Sequence, residues 1–131
     1  MASSLAAKLQ IKPGQSLAVL NAPEGMPATL AAALPEITVS ASAAGKVDGV
    51  LLFVHNLTET GRLLGSAIEA VAQDGLLWIA YPKGSSGVAT DLNRDRLWEA
   101  VEPSGWRPVR QVALDETWSA MRFRPAELVG K

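Results

Sequence analysis

The residue types best suited to chemistry cluster in YPKGSSG, residues 81–87, where a lysine, two glycines and two serines follow a strand-forming run. Gly84 and Gly87 let backbone N–H groups turn toward a ligand, Ser85 and Ser86 add hydroxyl donors, and Lys83 supplies charge, as an anion cradle requires. The order is not that of a phosphate loop, whose lysine follows its glycines. Without a ligand the same residues simply join a strand to a helix capped by Thr90 or Asp91, and an acid at that cap repels an anion. His55 is the sole histidine, which excludes any histidine pair or histidine-based metal cluster. It is either a general base at the end of a strand or a partly buried ring satisfied by backbone. Neither Ser85 nor Ser86 sits in a G-x-S-x-G turn, so no serine nucleophile is defined. Asp115 and Glu116 read as solvated turn residues, and Trp118 beyond them either stacks on a planar ligand or partner or covers the end of a sheet.

Composition narrows the classes. A chain of 131 residues suits one domain, 1–131, and 48% hydrophobic with 19% charged residues is a globular balance rather than a disordered one. The net charge is −1 with both signs interspersed, so neither a nucleic-acid face nor a polybasic membrane segment is expected. Cysteine is absent, which removes disulfides, thiolate nucleophiles and cysteine metal sites. Residues 1–10 carry no basic leader or secretory core, and no apolar run reaches the roughly 18–20 residues of a spanning helix. A soluble, cytoplasmic protein is the expectation.

These residues must be held by a framework, and the hydrophobic pattern supplies one. Ser3 or Ser4 caps a short helix that Lys12-Pro13-Gly14 ends. The unbroken apolar runs at Ser16–Leu20, 49–54 and 76–81 predict strands buried on both faces, whereas 37–41 alternates and predicts an edge strand. Pro27 opens a helix ending near Ala33; Asn56 and Glu59 have capping-box spacing for another, which Gly75 ends. A helix over 91–103 turns Leu97, Trp98 and Val101 inward, while Arg94 and Arg96 with Asp91 and Asp95 form a solvated, charge-balanced face. Strands at Trp106–Ala113 and 118–123 close the chain as an antiparallel hairpin. The fold class is α/β: a minimal Rossmann-like, mostly parallel sheet with helices on both faces. One link is short. About eight residues join the 37–41 strand to the next, so either the link runs extended under the sheet or that strand is misread. In such sheets ligands bind beyond the carboxyl ends of the strands. That rule gathers Asn21, Glu24 and Gly25, then His55 and Asn56, then Lys83, Ser85 and Ser86. Its bland counterpart for the first loop is a proline-shaped turn whose Asn and Glu cap the next helix.

DGVLLFV, the helix after it and DGLLWIAYPK are similar to the fourth and fifth strands of class I methyltransferases. IKPGQSLAVLNAPEG, LLWIAYPKGSSGVATDLNRD and DETWSAMRF resemble a bacterial family of small, uncharacterised Rossmann-like proteins, a domain of unknown function. The resemblance implies a methyltransferase-type fold and makes S-adenosylmethionine the cofactor to consider. The usual signatures for it are absent. Asn21-Ala22-Pro23-Glu24-Gly25 replaces the glycine-rich turn, Ser40-Ala41-Ser42 stands where an acidic residue holds the ribose, and one helix and strand are missing. The expected function is a non-catalytic or degenerate methyltransferase-like domain that binds a small ligand or a protein partner. The alternatives are an active S-adenosylmethionine-dependent methyltransferase with an atypical cofactor loop and a nucleotide- or phosphate-binding module.

Overall fold

In the computed structural model, which describes residues 4–41, 45–84, 87 and 89–126, the apolar runs become one six-stranded sheet. Its strands are β1 (Ser16–Leu20), β2 (Thr38–Ser40), β3 (Val47–Phe53), β4 (Val71–Pro82), β5 (Trp106–Ala113) and β6 (Trp118–Pro125), in the order β2-β1-β3-β4-β6-β5. The first four run parallel, and β6 enters antiparallel between β4 and β5. Helices α1 (Ser4–Leu9) and α2 (Met26–Ala33) cover one face; α3 (Leu57–Ala70) and α4 (Arg94–Val101) cover the other.

Strict alternation builds the two layers. Leu17, Val19, Leu51, Phe53, Trp78 and Ala80 pack toward α1 and α2, while Ala18, Val50, Leu52, Leu77 and Ile79 pack toward α3 and α4. Because both faces are covered, the central strands need apolar side chains in both directions, which is why they read as continuous runs. Trp78, fully buried, donates its indole N–H to the carbonyl of Leu9 at 2.9 Å and so ties α1 to the middle of the sheet.

The strand within 37–41 is real but short, and its shortness explains the brief link after it. Val39 and Gly49 flank Leu17 from opposite sides. The connection from Ser40, level with Ala18, to Val47, two residues before the partner of Leu17, therefore spans two strands and about three rungs, roughly 14 Å, which a short link can cross without a helix.

Two expectations need correcting. Helix α3 ends at Ala70, not at Gly75, and β4 begins at once. Gly75 instead lies inside β4 where the pairing with β3 slips, Val47 matching Val71 but Gly49 matching Leu76. Trp98 does not turn inward: Leu97 and Val101 are fully buried, and Trp98 stays 37% exposed. The 97/101 pair sets the buried stripe at i, i+4, and the next position is rotated about 100° away from it.

Candidate functional site

β3 delivers His55 to the carboxyl edge of the sheet, one residue past Val54, whose N–H still bonds to Ala80 at 2.9 Å. Asn56 then adopts extended backbone and caps α3, its Oδ1 accepting the Glu59 N–H at 2.8 Å. Its carbonyl accepts both the N–H (3.1 Å) and the hydroxyl (2.9 Å) of the buried Thr60. The capping box is not closed in the usual way. Glu59 reaches past Asn56, and its Oε1 accepts the His55 backbone N–H at 2.8 Å and meets His55 Nδ1 at 2.8 Å. A further bond comes from Asn21 Nδ2 at 3.2 Å.

Asn21 takes a left-handed backbone at φ 57°, a conformation asparagine tolerates, and its amide also donates to the carbonyl of Phe53 at 2.8 Å. It thereby bridges the ends of β1 and β3. From the other side Thr90 donates its hydroxyl to the His55 carbonyl at 2.5 Å, and Asp91 Oδ1 accepts the Leu57 N–H at 2.9 Å. The expectation that Thr90 or Asp91 caps the following helix is thus corrected. Asn93 caps α4 through the Arg96 N–H at 2.8 Å, and the earlier pair braces His55 and the start of α3. Asp91 places its negative charge at the amino end of α3, where the helix dipole favours it.

Burial alone would raise the Glu59 carboxyl, but the bonds from the His55 ring and backbone, the charge of His55 and the Asn21 amide together outweigh it. The carboxyl is held below its ordinary value. An ionised Glu59 orients the Nδ1 proton of His55 toward itself and leaves Nε2 as the acceptor of the neutral ring. The His55 side chain is 44% exposed, so that nitrogen can meet a ligand and take a proton from it. A group whose folded pKa is depressed stabilises above its unfolded pKa and loses that contribution as pH falls through the folded value. Glu59→Ala should therefore lower stability by about 1–2 kcal/mol at neutral pH. In urea melts the deficit should shrink as the pH falls below the ordinary glutamate range and the folded carboxyl, held lower still, finally protonates. An unchanged deficit in acid would assign the effect to packing instead of charge.

Trp118 is buried, with ring centroids 4.9 Å from Phe53 and 5.3 Å from His55, both edge-to-face. Of its two readings, covering the end of the sheet is the one realised. Lys83 is half-buried, and its backbone N–H bonds to Thr117 at 2.7 Å, which ties the start of its loop to the β5–β6 hairpin. Ser85 and Ser86 lie outside the described residues. Glu24 and Gly25 are exposed at the start of α2, where Gly25 (φ 82°) is the cap without a side-chain bond. The expected capping of α2 by Asn21 or Glu24 does not occur, because Asn21 turns toward β3.

The structure thus joins Asn21, His55 and Asn56 in one network, with Trp118 as a wall. Sequence reasoning missed Glu59 and Thr90 as partners of His55, and Asp91 as the brace at the start of α3. The signal for Glu59 was present, since it stands four residues after His55 and three after a capping asparagine. A concavity of about 490 Å³ lies apart from this network, lined by Leu20, Gly45, Lys46, Ser66, Glu69 and Ala70. It opens beside β1 on the α3 face. Among the described residues no group of three or more His, Asp or Glu could hold a metal ion, and no helix is long and apolar enough to cross a membrane.

No protein-family model and no curated protein matches the chain. Solved structures do. The chain is similar to a ribosomal protein L11 methylase from Lactobacillus delbrueckii subsp. bulgaricus (TM-score 0.61, 12% identity, 95% of this chain and 76% of that one). It is similar also to the mitomycin 7-O-methyltransferase MmcR (TM-score 0.65, 14% identity, 95% of this chain), of whose length it spans 53%. A third likeness is to YjhP from E. coli (TM-score 0.59, 14% identity, 95% of this chain and 90% of that one). At such identities the likeness establishes the fold: a methyltransferase-type Rossmann-like sheet with an antiparallel carboxyl-terminal pair.

Proposed function

We propose that this chain is a methyltransferase-like domain that binds a small molecule at the His55 rim and does not transfer methyl groups. One observation carries the reading: the Asn21 amide is bonded across to Phe53 at the point between β1 and β3 where a cofactor-binding fold keeps a glycine turn open. At the end of β2, the exposed Ser40 and Ala41 offer no carboxylate to ribose hydroxyls. The residues present do not fit S-adenosylmethionine. We place the protein, on its sequence, with the small uncharacterised Rossmann-like proteins of bacteria, as a single cytoplasmic domain.

The test is a thermal-shift comparison with S-adenosylhomocysteine at millimolar concentration. A ligand that binds only the native state must raise the melting temperature. No rise is expected; a rise of several degrees that Asn21→Ala alters would overturn the reading and restore an active methyltransferase with an atypical loop. The His55–Glu59 pair favours a second reading, acid–base chemistry on the bound molecule, with His55 Nε2 accepting its proton. In that case His55→Gln abolishes turnover and leaves binding in place.

A further inference from the structure

A cleft of about 260 Å³ opens on the α1/α2 face, at the end of the sheet where β1 and β2 begin and so opposite the His55 rim. Its floor is aliphatic, made by the buried side chains of Ile11, Leu34 and Ile37. The remaining apolar lining is alanine and proline, with no aromatic ring among it. Backbone bonds fix the walls before any ligand arrives. The Ile11 N–H bonds to the Ala6 carbonyl at 3.1 Å, the Gly14 N–H to that of Glu36 at 2.9 Å, and the Ile37 N–H to that of Leu34 at 3.0 Å. Pro13 and Pro35 stiffen the two segments further, since each ring locks its own φ. A preformed, mostly apolar concavity with a few convergent polar groups is the usual form of a small-molecule site. This one lies just below the roughly 300–1,000 Å³ of drug-sized sites, which suits a molecule of amino-acid size.

Opposite charges stand at its mouth without meeting. Lys12 and Glu36 are the only lining residues with polar side chains. Both are exposed, and among the described residues neither enters an ion pair. An aliphatic acid lying on the floor would be drawn by Lys12 and repelled by Glu36, and an aliphatic amine the reverse. A zwitterion with an aliphatic tail satisfies both charges and the floor together. Helix α2 adds to the preference for an ammonium group. Ala33 and Leu34, at its carboxyl end, form part of the wall, and no basic residue in its last turn offsets the partial negative charge there.

We propose that this cleft binds a free amino acid with a branched aliphatic side chain. The side chain lies on Ile11, Leu34 and Ile37, the carboxylate meets Lys12 and the ammonium meets Glu36. The floor carries no hydrogen-bonding side chain, so an amino acid with a polar side chain would bury that group unpaired. The site is independent of the His55 rim, which lies beyond the other ends of the same strands.

The experiment is a carbon–proton methyl NMR titration of the intact chain with L-leucine, following the Ile11 and Ile37 methyl groups assigned through Ile11→Val and Ile37→Val. Saturable shifts of both are expected in the millimolar range or below. Glycine should bind at least about tenfold more weakly, because burying a leucine side chain is worth that factor or more. 4-Methylpentanoate, which lacks the ammonium, and 3-methylbutylamine, which lacks the carboxylate, should each bind about threefold or more weakly, as solvent-exposed ion pairs allow. Lys12→Gln should bring leucine down to the level of the amine, and Glu36→Gln should bring it down to the level of the acid. Both are surface substitutions that leave the core intact, and His55→Gln should leave leucine binding unchanged. The proposal is overturned by no saturable shift with leucine, or by glycine or 4-methylpentanoate binding as tightly as leucine. It is equally overturned if neither charge variant weakens binding, or if the two methyl groups respond to protein dilution alone, which marks a second copy as the occupant.

Discussion

Replacing Trp118 with alanine is expected to cost about 3–5 kcal/mol of stability, the usual range for removing a buried tryptophan. The indole is only 6% exposed and meets Phe53 and His55 edge-to-face at 4.9 and 5.3 Å. Its removal opens a void directly under the His55 ring, at the carboxyl edge of β3. Backbone bonds hold the position from both sides. The Trp118 N–H donates to Asp115 Oδ1 at 2.7 Å, and its carbonyl accepts the Leu114 N–H at 2.9 Å. These survive the substitution, so the hairpin should persist while the aromatic wall is lost. Urea unfolding measures the loss, and Trp118→Phe should recover most of it by keeping a ring against Phe53. The His55 ring resonances should move in the alanine variant, because the indole edge no longer shields them. A deficit below about 1 kcal/mol would contradict the structure and return Trp118 to the role of an exposed stacking platform.

That outcome bears on how far the sequence could be read. Strands and layers were legible because they depend on local periodicity. GVLLFV and LLWIAY are apolar at every position, a pattern only a doubly covered strand requires. The hairpin was legible for the same reason, since a short link forbids a parallel return. The site was legible in part. Asn56 and Glu59 are three residues apart, and their spacing alone announces a helix start. The bonds that fix His55 are of another kind: Asn21 to Phe53 spans 32 residues and Thr90 to His55 spans 35. They exist because β1 and β3 are neighbours and because the chain returns past β3 after β4, facts that follow from strand order and not from any local pattern. Trp98 failed for a different reason. Its type suggests burial, yet the stripe is set by Leu97 and Val101, and a bulky residue one position away cannot share it.

The His55 rim sits where parallel sheets gather their loops, so a topological rule points to it before the structure is known.

Gly75→Ala should cost about 2–3 kcal/mol, the overpacking penalty of forcing a methyl group against backbone that cannot move cheaply. A Cβ at Gly75 would stand 2.7 Å from the Asp48 carbonyl oxygen, 2.8 Å from that of Ala72 and 2.8 Å from a Val71 methyl group. Asp48 is itself fixed, because its carboxylate accepts the Ser16 N–H at 2.9 Å and its N–H donates to the Ser16 hydroxyl at 3.1 Å. The strain would thus be passed into the β1–β3 pairing and on toward the strand ends that carry Asn21 and His55. Two comparisons separate close approach from the helix-ending role that the sequence suggests. At a left-handed helix end asparagine is tolerated better than alanine, whereas at a crowded position the larger asparagine is worse. Gly75→Asn should therefore unfold at lower urea than Gly75→Ala. Gly61, in the interior of α3 with nothing within 4 Å of an added Cβ, supplies the opposite case. Gly61→Ala should stabilise by about 0.4–1 kcal/mol through the lower entropy of the unfolded chain. If both glycine-to-alanine changes raised stability, the slip in register between β3 and β4 would not be the tight contact described, and Gly75 would be an ordinary turn residue.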